Sequence, residues 1–291
     1  MITLENEELL VTVSEEGAEL QKIYHKKEEL DYLWDGNPEY WGRHAPLLFP
    51  IIGRLNEDKY KKDGKLYEMT QHGFARDKTF KVGSQSNESV EFVLEQDEDT
   101  LVHYPYDFKL TVTYTLKGSL LAVDYKVKNN SNEQMPFSLG AHPAFNVPLK
   151  KDESFDDYTV TINPREEAYY FESNPLPFRN GKRSVLGEMK DGVMALNHAI
   201  FDEGLIIIDE PKMDTITLEG PEKHGVTLNV AEFPYVCLWT KEEANAPFLC
   251  IEPFFGLPDI AGEIGELEHK GGVILLEEEQ ERNLGFTIDL F

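Results

Sequence analysis

Apolar and polar residues alternate with a period of two along much of the chain. Phe108, Leu110, Val112, Tyr114 and Leu116 interleave with Lys109, Thr111, Thr113 and Thr115. After Lys117-Gly118-Ser119, the residues Leu121, Val123, Tyr125 and Val127 interleave with Ala122, Asp124 and Lys126. Successive side chains of a strand point to opposite faces, so this pattern predicts a hairpin with one face of each strand buried. Val90, Phe92 and Leu94 repeat it after a loop at Gly83-Ser84-Gln85-Ser86-Asn87. Further runs rich in β-branched and aromatic residues lie near 8–13, 18–24, 45–52, 157–162, 167–172, 205–209, 214–218, 226–231, 235–240, 247–251 and 273–276. Helical patterns are brief, at 38–43, 97–104 and 189–198. Strands that follow strands without intervening helices exclude a doubly wound α/β arrangement. They predict an all-β fold, a large antiparallel β-sandwich with a few short helices, forming a single domain over residues 1–291.

Charge narrows the partners. A net charge of -26 over 291 residues repels nucleic acid and anionic membrane, and neither is expected as a partner. The acidic start Met1-Ile2-Thr3-Leu4-Glu5-Asn6-Glu7-Glu8 lacks the basic and apolar regions of a secretion signal. No apolar run approaches the ~20 residues of a membrane-spanning helix. A cytoplasmic protein is expected, as a monomer or a homodimer. Cys237 and Cys250, the only cysteines, sit in strand-like apolar patterns and read as buried reduced thiols. The stretch from Gly42 to Phe80 runs against the overall charge. Arg43, Arg54, Lys59, Lys61, Lys62, Lys65, Arg76 and Lys78 outnumber Glu57, Asp58, Asp63, Glu68 and Asp77 there. A lysine-rich hairpin tip accounts for the lysines. It does not account for Arg54, which ends the apolar run Pro46–Gly53, where an arginine normally has a partner.

Three segments carry titratable groups on constrained backbone. His142 interrupts the apolar stretch 137–148 and precedes Pro143, which drives it out of helical space. Glu252, in Cys250-Ile251-Glu252-Pro253, repeats the device with a carboxylate, and an unpaired carboxylate in so apolar a strand is costly to bury. His72 lies in Gln71-His72-Gly73-Phe74-Ala75-Arg76, where Gly73 permits a positive φ or a close approach of backbone. Taken singly, each is an ordinary core or turn residue. There is no Gly-x-Ser-x-Gly elbow, no Gly-x-Gly-x-x-Gly, no phosphate-binding Gly-x-x-x-x-Gly-Lys loop and no His-Glu-x-x-His. The eight histidines show no zinc-like pairing, and no metal site is expected.

In order and spacing, these segments resemble the aldose 1-epimerase (galactose mutarotase) family, most closely its LacX-like branch of shorter members. The match spans roughly residues 45–260. Arg54, after Gly53, is similar to the family's sugar-binding arginine, and His72-Gly73 to its His-Gly motif. His142, with Phe145-Asn146 following, is similar to the catalytic-acid motif. Glu252, with Pro258-Asp259 downstream, is similar to the catalytic-base motif. In the galactose enzymes an asparagine precedes the catalytic histidine and a glutamine lies two past the base, where Ala141 and Phe254 stand here. The family's second sugar-binding carboxylate has only Asp202 as a counterpart. These departures leave the general chemistry in place and the sugar open.

The resemblance implies a galactose mutarotase-like supersandwich. It also implies anomer exchange: Glu252 takes the proton of the C1 hydroxyl, His142 gives one to the ring oxygen, and His72 and Arg54 bind nearby. A carboxylate near His142 would help hold its proton. Trp239, Phe145 and Trp34 are candidates for an apolar sugar wall, and Arg76 for a further sugar contact. The chemistry needs no cofactor, and a small-molecule sugar is the expected partner. Two alternatives stand beside this reading. One is an epimerase for a hexose phosphate, bound through Arg43, Arg54 and Arg76. The other is a non-catalytic carbohydrate-binding or sensing protein of the same fold.

Overall fold

The structure, a computed structural model, describes residues 1–209 and 212–291. Two large antiparallel sheets dominate it. The nine-stranded sheet runs in the order Val193–Ala195, Thr159–Asn163, Thr215–Glu219, Gly225–Asn229, Glu281–Leu290, Leu120–Asn129, Phe108–Lys117, Ser89–Glu95 and Lys81–Gln85. The eight-stranded sheet runs Arg183–Val185, Tyr169–Phe171, Ile206–Asp209, Tyr235–Trp239, Phe248–Phe255, Leu139–Ala141 and Leu47–Leu48, with Ala144–Asn146 also paired to Phe248–Phe255. A four-stranded sheet of Ile2–Glu5, Leu9–Val13, Leu20–His25 and Leu30–Asp31 begins the chain.

The hairpin expected from period-two alternation forms as Phe108–Lys117 and Leu120–Asn129, in register from Phe108↔Asn129 to Lys117↔Leu120. Leu110, Val112, Tyr114, Leu121, Val123 and Tyr125 are buried in the principal core. Strand Glu281–Leu290 enters beside it, pairing with both Leu120–Asn129 and Gly225–Asn229. It was absent from the expected strands, although Leu284, Phe286, Ile288 and Leu290 alternate in the same way. The expected loop at 83–87 begins as the strand Lys81–Gln85, an edge strand with a register shift that weakens its signal.

Two helical expectations fail. Residues 38–40 form a turn, and 189–198 holds the strand Val193–Ala195 followed by the 3₁₀ turn His198–Phe201. The third forms as the α-helix Glu98–His103. There the Asp97 side chain accepts from Thr100 N, and Thr100 returns a bond to the Asp97 backbone, closing a capping box. The apolar run 45–52 is a strand only at Leu47–Leu48.

The strand Phe248–Phe255 is buried on both faces. Leu249 and Ile251 point into the core shared by the two large sheets. Phe248, Cys250 and Phe254 point to the opposite face, where smaller apolar clusters form. The neighbouring strand divides likewise, Val236 and Leu238 inward, Cys237 and Trp239 outward. By the same alternation Glu252 belongs to the outward face. That face, not the space between the sheets, carries the cavity described next.

Candidate active site

Register brings His142 and Glu252 together. Leu139↔Phe255, Gly140↔Phe254 and, beyond a short gap, Ala144↔Cys250 keep one antiparallel alignment, so His142 falls opposite Glu252. Their Nε2 and Oε1 atoms are 3.3 Å apart, with both side chains buried. Close packing of these two strands depends on Gly140, since a Cβ there would lie 2.3 Å from Cβ of Phe254. On its other side Glu252 pairs with Cys237, whose thiol donates to the Leu238 carbonyl at 3.7 Å.

Burial drives the carboxyl of Glu252 well above its ordinary value. It also lowers the imidazole of His142 to about 3, assisted by the positive charges of Arg76 and Arg43. Desolvation disfavours the charged form of each, so burial favours the neutral carboxyl and the neutral imidazole. A carboxyl group does stand beside the imidazole. Being buried itself, it does not raise the histidine's pKa.

His72 reaches the same place from a left-handed turn. Its φ is 67° and that of Gly73 is 74°, and a Cβ on Gly73 would strike the carbonyl oxygen of Phe49 at 2.2 Å. Both uses foreseen for that glycine are present. The backbone N–H of Gly53 donates to His72 Nδ1 at 3.1 Å, which leaves Nε2, 3.3 Å from the side-chain amide of Gln71, to carry the proton of the neutral ring. Burial, followed by His142, Arg76 and Arg43, holds His72 well below its ordinary value. The His72 and His142 rings meet edge to face at 5.6 Å.

These groups border a cavity of about 370 Å³, within the range of small-ligand sites and at its small end. Trp239, Trp41, Tyr40, Ile207 and Phe254 supply its apolar lining, and Gln71, Lys241 and Glu242 its polar lining. Trp41 stacks on His142 with centroids 4.8 Å apart at 26°. No periodic signal in the sequence marks Trp41, because its position follows from a turn: Tyr40 N and Trp41 N both donate to Asn37 O, and Trp34 Nε1 donates to Trp41 O at 2.9 Å. Trp34 therefore supports the wall from behind. Trp239, anchored by Nε1 to Glu242 Oε1 at 2.9 Å, is part of it.

The arginines divide. Arg76 borders the cavity, donates through Nη2 to Gln71 O at 2.7 Å, and has a buried Nε that makes no hydrogen bond, with Asp77 Oδ2 3.7 Å away. Arg54 also borders it, but its guanidinium is held in two bonds by Asp58, at 2.8 and 2.9 Å. Arg43 does not border it and pairs with Asp77. Pro258 closes one side, while Asp259 turns away to hold Asn56 and Lys270 and, through its N–H, the Arg54 carbonyl. Two chosen residues are not brought to the cavity. Phe145 is wholly buried in the main core, because it lies one position out of phase with Ala144, the residue facing the cavity side. Asp202 is exposed beyond the 3₁₀ turn, where it accepts from Glu243 N at 3.3 Å.

A family model described as aldose 1-epimerase matches residues 1–271. Protein LacX, chromosomal, of Lactococcus lactis subsp. lactis is 32% identical over 286 residues, covering 92% of each chain. A galactose mutarotase of Homo sapiens is 29% identical over 130 residues, 40% of this chain and 37% of that one. The crystal structure of a galactose mutarotase-like protein from Lactobacillus casei ATCC 334 superposes with a TM-score of 0.96 at 41% identity, covering 100% of both chains.

Proposed function

Because the chain belongs to the aldose 1-epimerase family, we propose that it interconverts the α and β anomers of a hexose at the His142–Glu252 pair. The observation that carries this reading is the 3.3 Å approach of Nε2 to Oε1 at the wall of a sugar-sized cavity. The anomeric hydroxyl and the ring oxygen are bonded to the same carbon. Groups that serve both must therefore be close neighbours, and these two are.

Sugar hydroxyls entering the cavity replace the water that burial removed and permit the ionic form of the pair, carboxylate and imidazolium. Glu252 then accepts the proton of the C1 hydroxyl while His142 Nε2 protonates the ring oxygen. The bond from C1 to the ring oxygen breaks as the C1 carbonyl forms. Rotation about C1–C2 presents the other face, and closure returns both protons. His72, with its proton on Nε2, is placed to donate to a sugar oxygen, and the apolar wall of Trp41 and Trp239 suits the C–H face of a pyranose.

Each positioned proton-transfer group contributes on the order of 10²–10⁴ in rate. Polarimetry of freshly dissolved α-glucose and α-galactose with Glu252→Gln and His142→Asn should show losses of that order. Wild-type rates in both variants would remove the assignment.

A second reading, an anionic hexose such as a hexose phosphate, draws support from the positive charges of Arg76 and Lys241 at the same cavity. Faster exchange of glucose 6-phosphate than of glucose, abolished by Arg76→Leu, would select it. Equal exchange of the two would dismiss it.

A further inference from the structure

We propose that His142 and Glu252 at the cavity wall, with the buried Cys250 beside them, are also a binding site for a thiophilic divalent cation of the Zn²⁺ or Cd²⁺ class, and that such an ion blocks the sugar site. The three side chains arrive by the register already described. Cys250 and Glu252 are two apart on one strand and share its outward face. His142 falls opposite Glu252. One donor atom from each lies within 4.8 Å of the other two, and all three residues are buried.

Zinc bonds of about 2.3 Å to sulfur and about 2.0–2.2 Å to nitrogen or oxygen place neighbouring donors of a tetrahedral site roughly 3.3–3.8 Å apart. The His142–Glu252 separation of 3.3 Å already meets that spacing, and the thiol needs to close by about 1 Å. Three protein donors, two of them bordering the cavity, leave a fourth position for water or another ligand, as in an accessible zinc site rather than a closed structural one. The donor set of thiolate, imidazole and carboxylate selects zinc and cadmium over magnesium and calcium, which require oxygen ligands. Charge closes as well. On binding, Cys250 and Glu252 each release a proton to solvent, and the resulting two negative charges neutralise the dication in a place that tolerates no net charge.

Occupation engages both members of the proton-transfer pair, so the inhibitory part of the proposal rests on the function given above, whereas the binding part does not. Binding is read without activity: Cd²⁺ is titrated into the full chain and the ultraviolet sulfur-to-cadmium charge-transfer absorption is followed. We expect one Cd²⁺ per chain, displaceable by Zn²⁺. The band should be lost in Cys250→Ser, retained in Cys237→Ser, and reached only at concentrations at least about tenfold higher in Glu252→Gln. If Cys250→Ser does not fold by circular dichroism, Cys250→Ala takes its place. Absence of the band in the wild type, its persistence without Cys250, or its loss without Cys237 overturns the site. In polarimetry, Zn²⁺ should inhibit competitively with sugar and a chelator should restore the rate. A bound ion with undiminished anomer exchange would overturn the catalytic role of the pair and leave the metal site standing.

Discussion

His142 and Glu252 stand 3.3 Å apart, and in another part of the molecule His224 and Glu153 stand 3.0 Å apart, with all four side chains buried. Their surroundings differ. The hydroxyl of Tyr158 donates to Glu153 at 2.5 Å, lies 2.9 Å from His224 Nε2, and accepts from Leu149 N. A phenol thus occupies beside His224 the place that the cavity occupies beside His142. The first pair keeps hydrogen-bonding capacity directed at a space a ligand can enter. The second directs its own at Tyr158 and ties the segment around 149–158 to the turn between Thr215–Glu219 and Gly225–Asn229. A buried histidine–carboxylate contact is therefore no sign of chemistry in itself. What the remaining lone pairs and protons face decides its use.

The largest expected effect is an exchange of phenotypes between the pairs. Glu153→Ala should lower the stability by about 3–5 kcal/mol, as removal of one partner from a buried pair does, while kcat/KM stays within about twofold. Glu252→Gln should do the reverse, with anomer exchange reduced on the order of 10²–10⁴ in a chain no less stable than the wild type. Urea titration and polarimetry of both variants check this, and parallel losses in both would erase the distinction.

The next effect is one of pH. The native chain keeps a proton on Glu252 that the unfolded chain gives up above the ordinary carboxyl value, so this group's contribution to stability declines as pH rises through that window. His142, lowered to about 3, acts the other way: below the ordinary imidazole value the unfolded chain binds a proton that the native chain refuses. Its contribution is therefore lost as pH falls toward about 3. Glu252→Gln removes only the first of these. The variant should gain on the wild type as pH rises above the ordinary carboxyl value, by about 1.4 kcal/mol per pH unit until the carboxyl of the native chain ionises. A stability difference that is flat from pH 5 to 7 would show that Glu252 is ionised in the folded protein.

Smaller effects sharpen the outline of the site. Trp41→Leu removes the ring stacked on His142 and should lower kcat/KM roughly two- to tenfold, the equivalent of an aromatic contact. The 3.3 Å pair itself should be left in place, so the loss should stay far short of that in Glu252→Gln. Asp202→Asn, an exposed change away from the cavity, should alter kcat/KM by less than about twofold. A large loss would restore Asp202 as a sugar contact and require the segment that carries it to close over the cavity.

The regular half of the fold was legible because alternation is a local property. Phe108–Lys117 and Leu120–Asn129 declare themselves as two adjacent ten-residue runs, and Glu281–Leu290 carries the same signal. The helix Glu98–His103 was legible from its neighbourhood of polar caps. The turn that presents Trp41 was not, since its direction depends on a bond to Trp34, and neither was the idle position of Arg54, set by Asp58. Phe145 was misread because a residue's place in a motif does not state its phase relative to the sheet.

From the chain alone came the alternating strands Phe108–Lys117 and Leu120–Asn129, the all-β class, and the residues able to carry protons: His72, His142 and Glu252. Those follow from side-chain chemistry and short-range periodicity, which the order of residues contains. Tertiary structure alone decided that one alignment continues from Leu139↔Phe255 to Ala144↔Cys250, and so sets His142 against Glu252 on the outward face. It alone decided that a thiol stands on either side of that carboxyl. Register between strands more than a hundred positions apart is fixed by the packing of the whole sheet, and no local stretch of sequence states it.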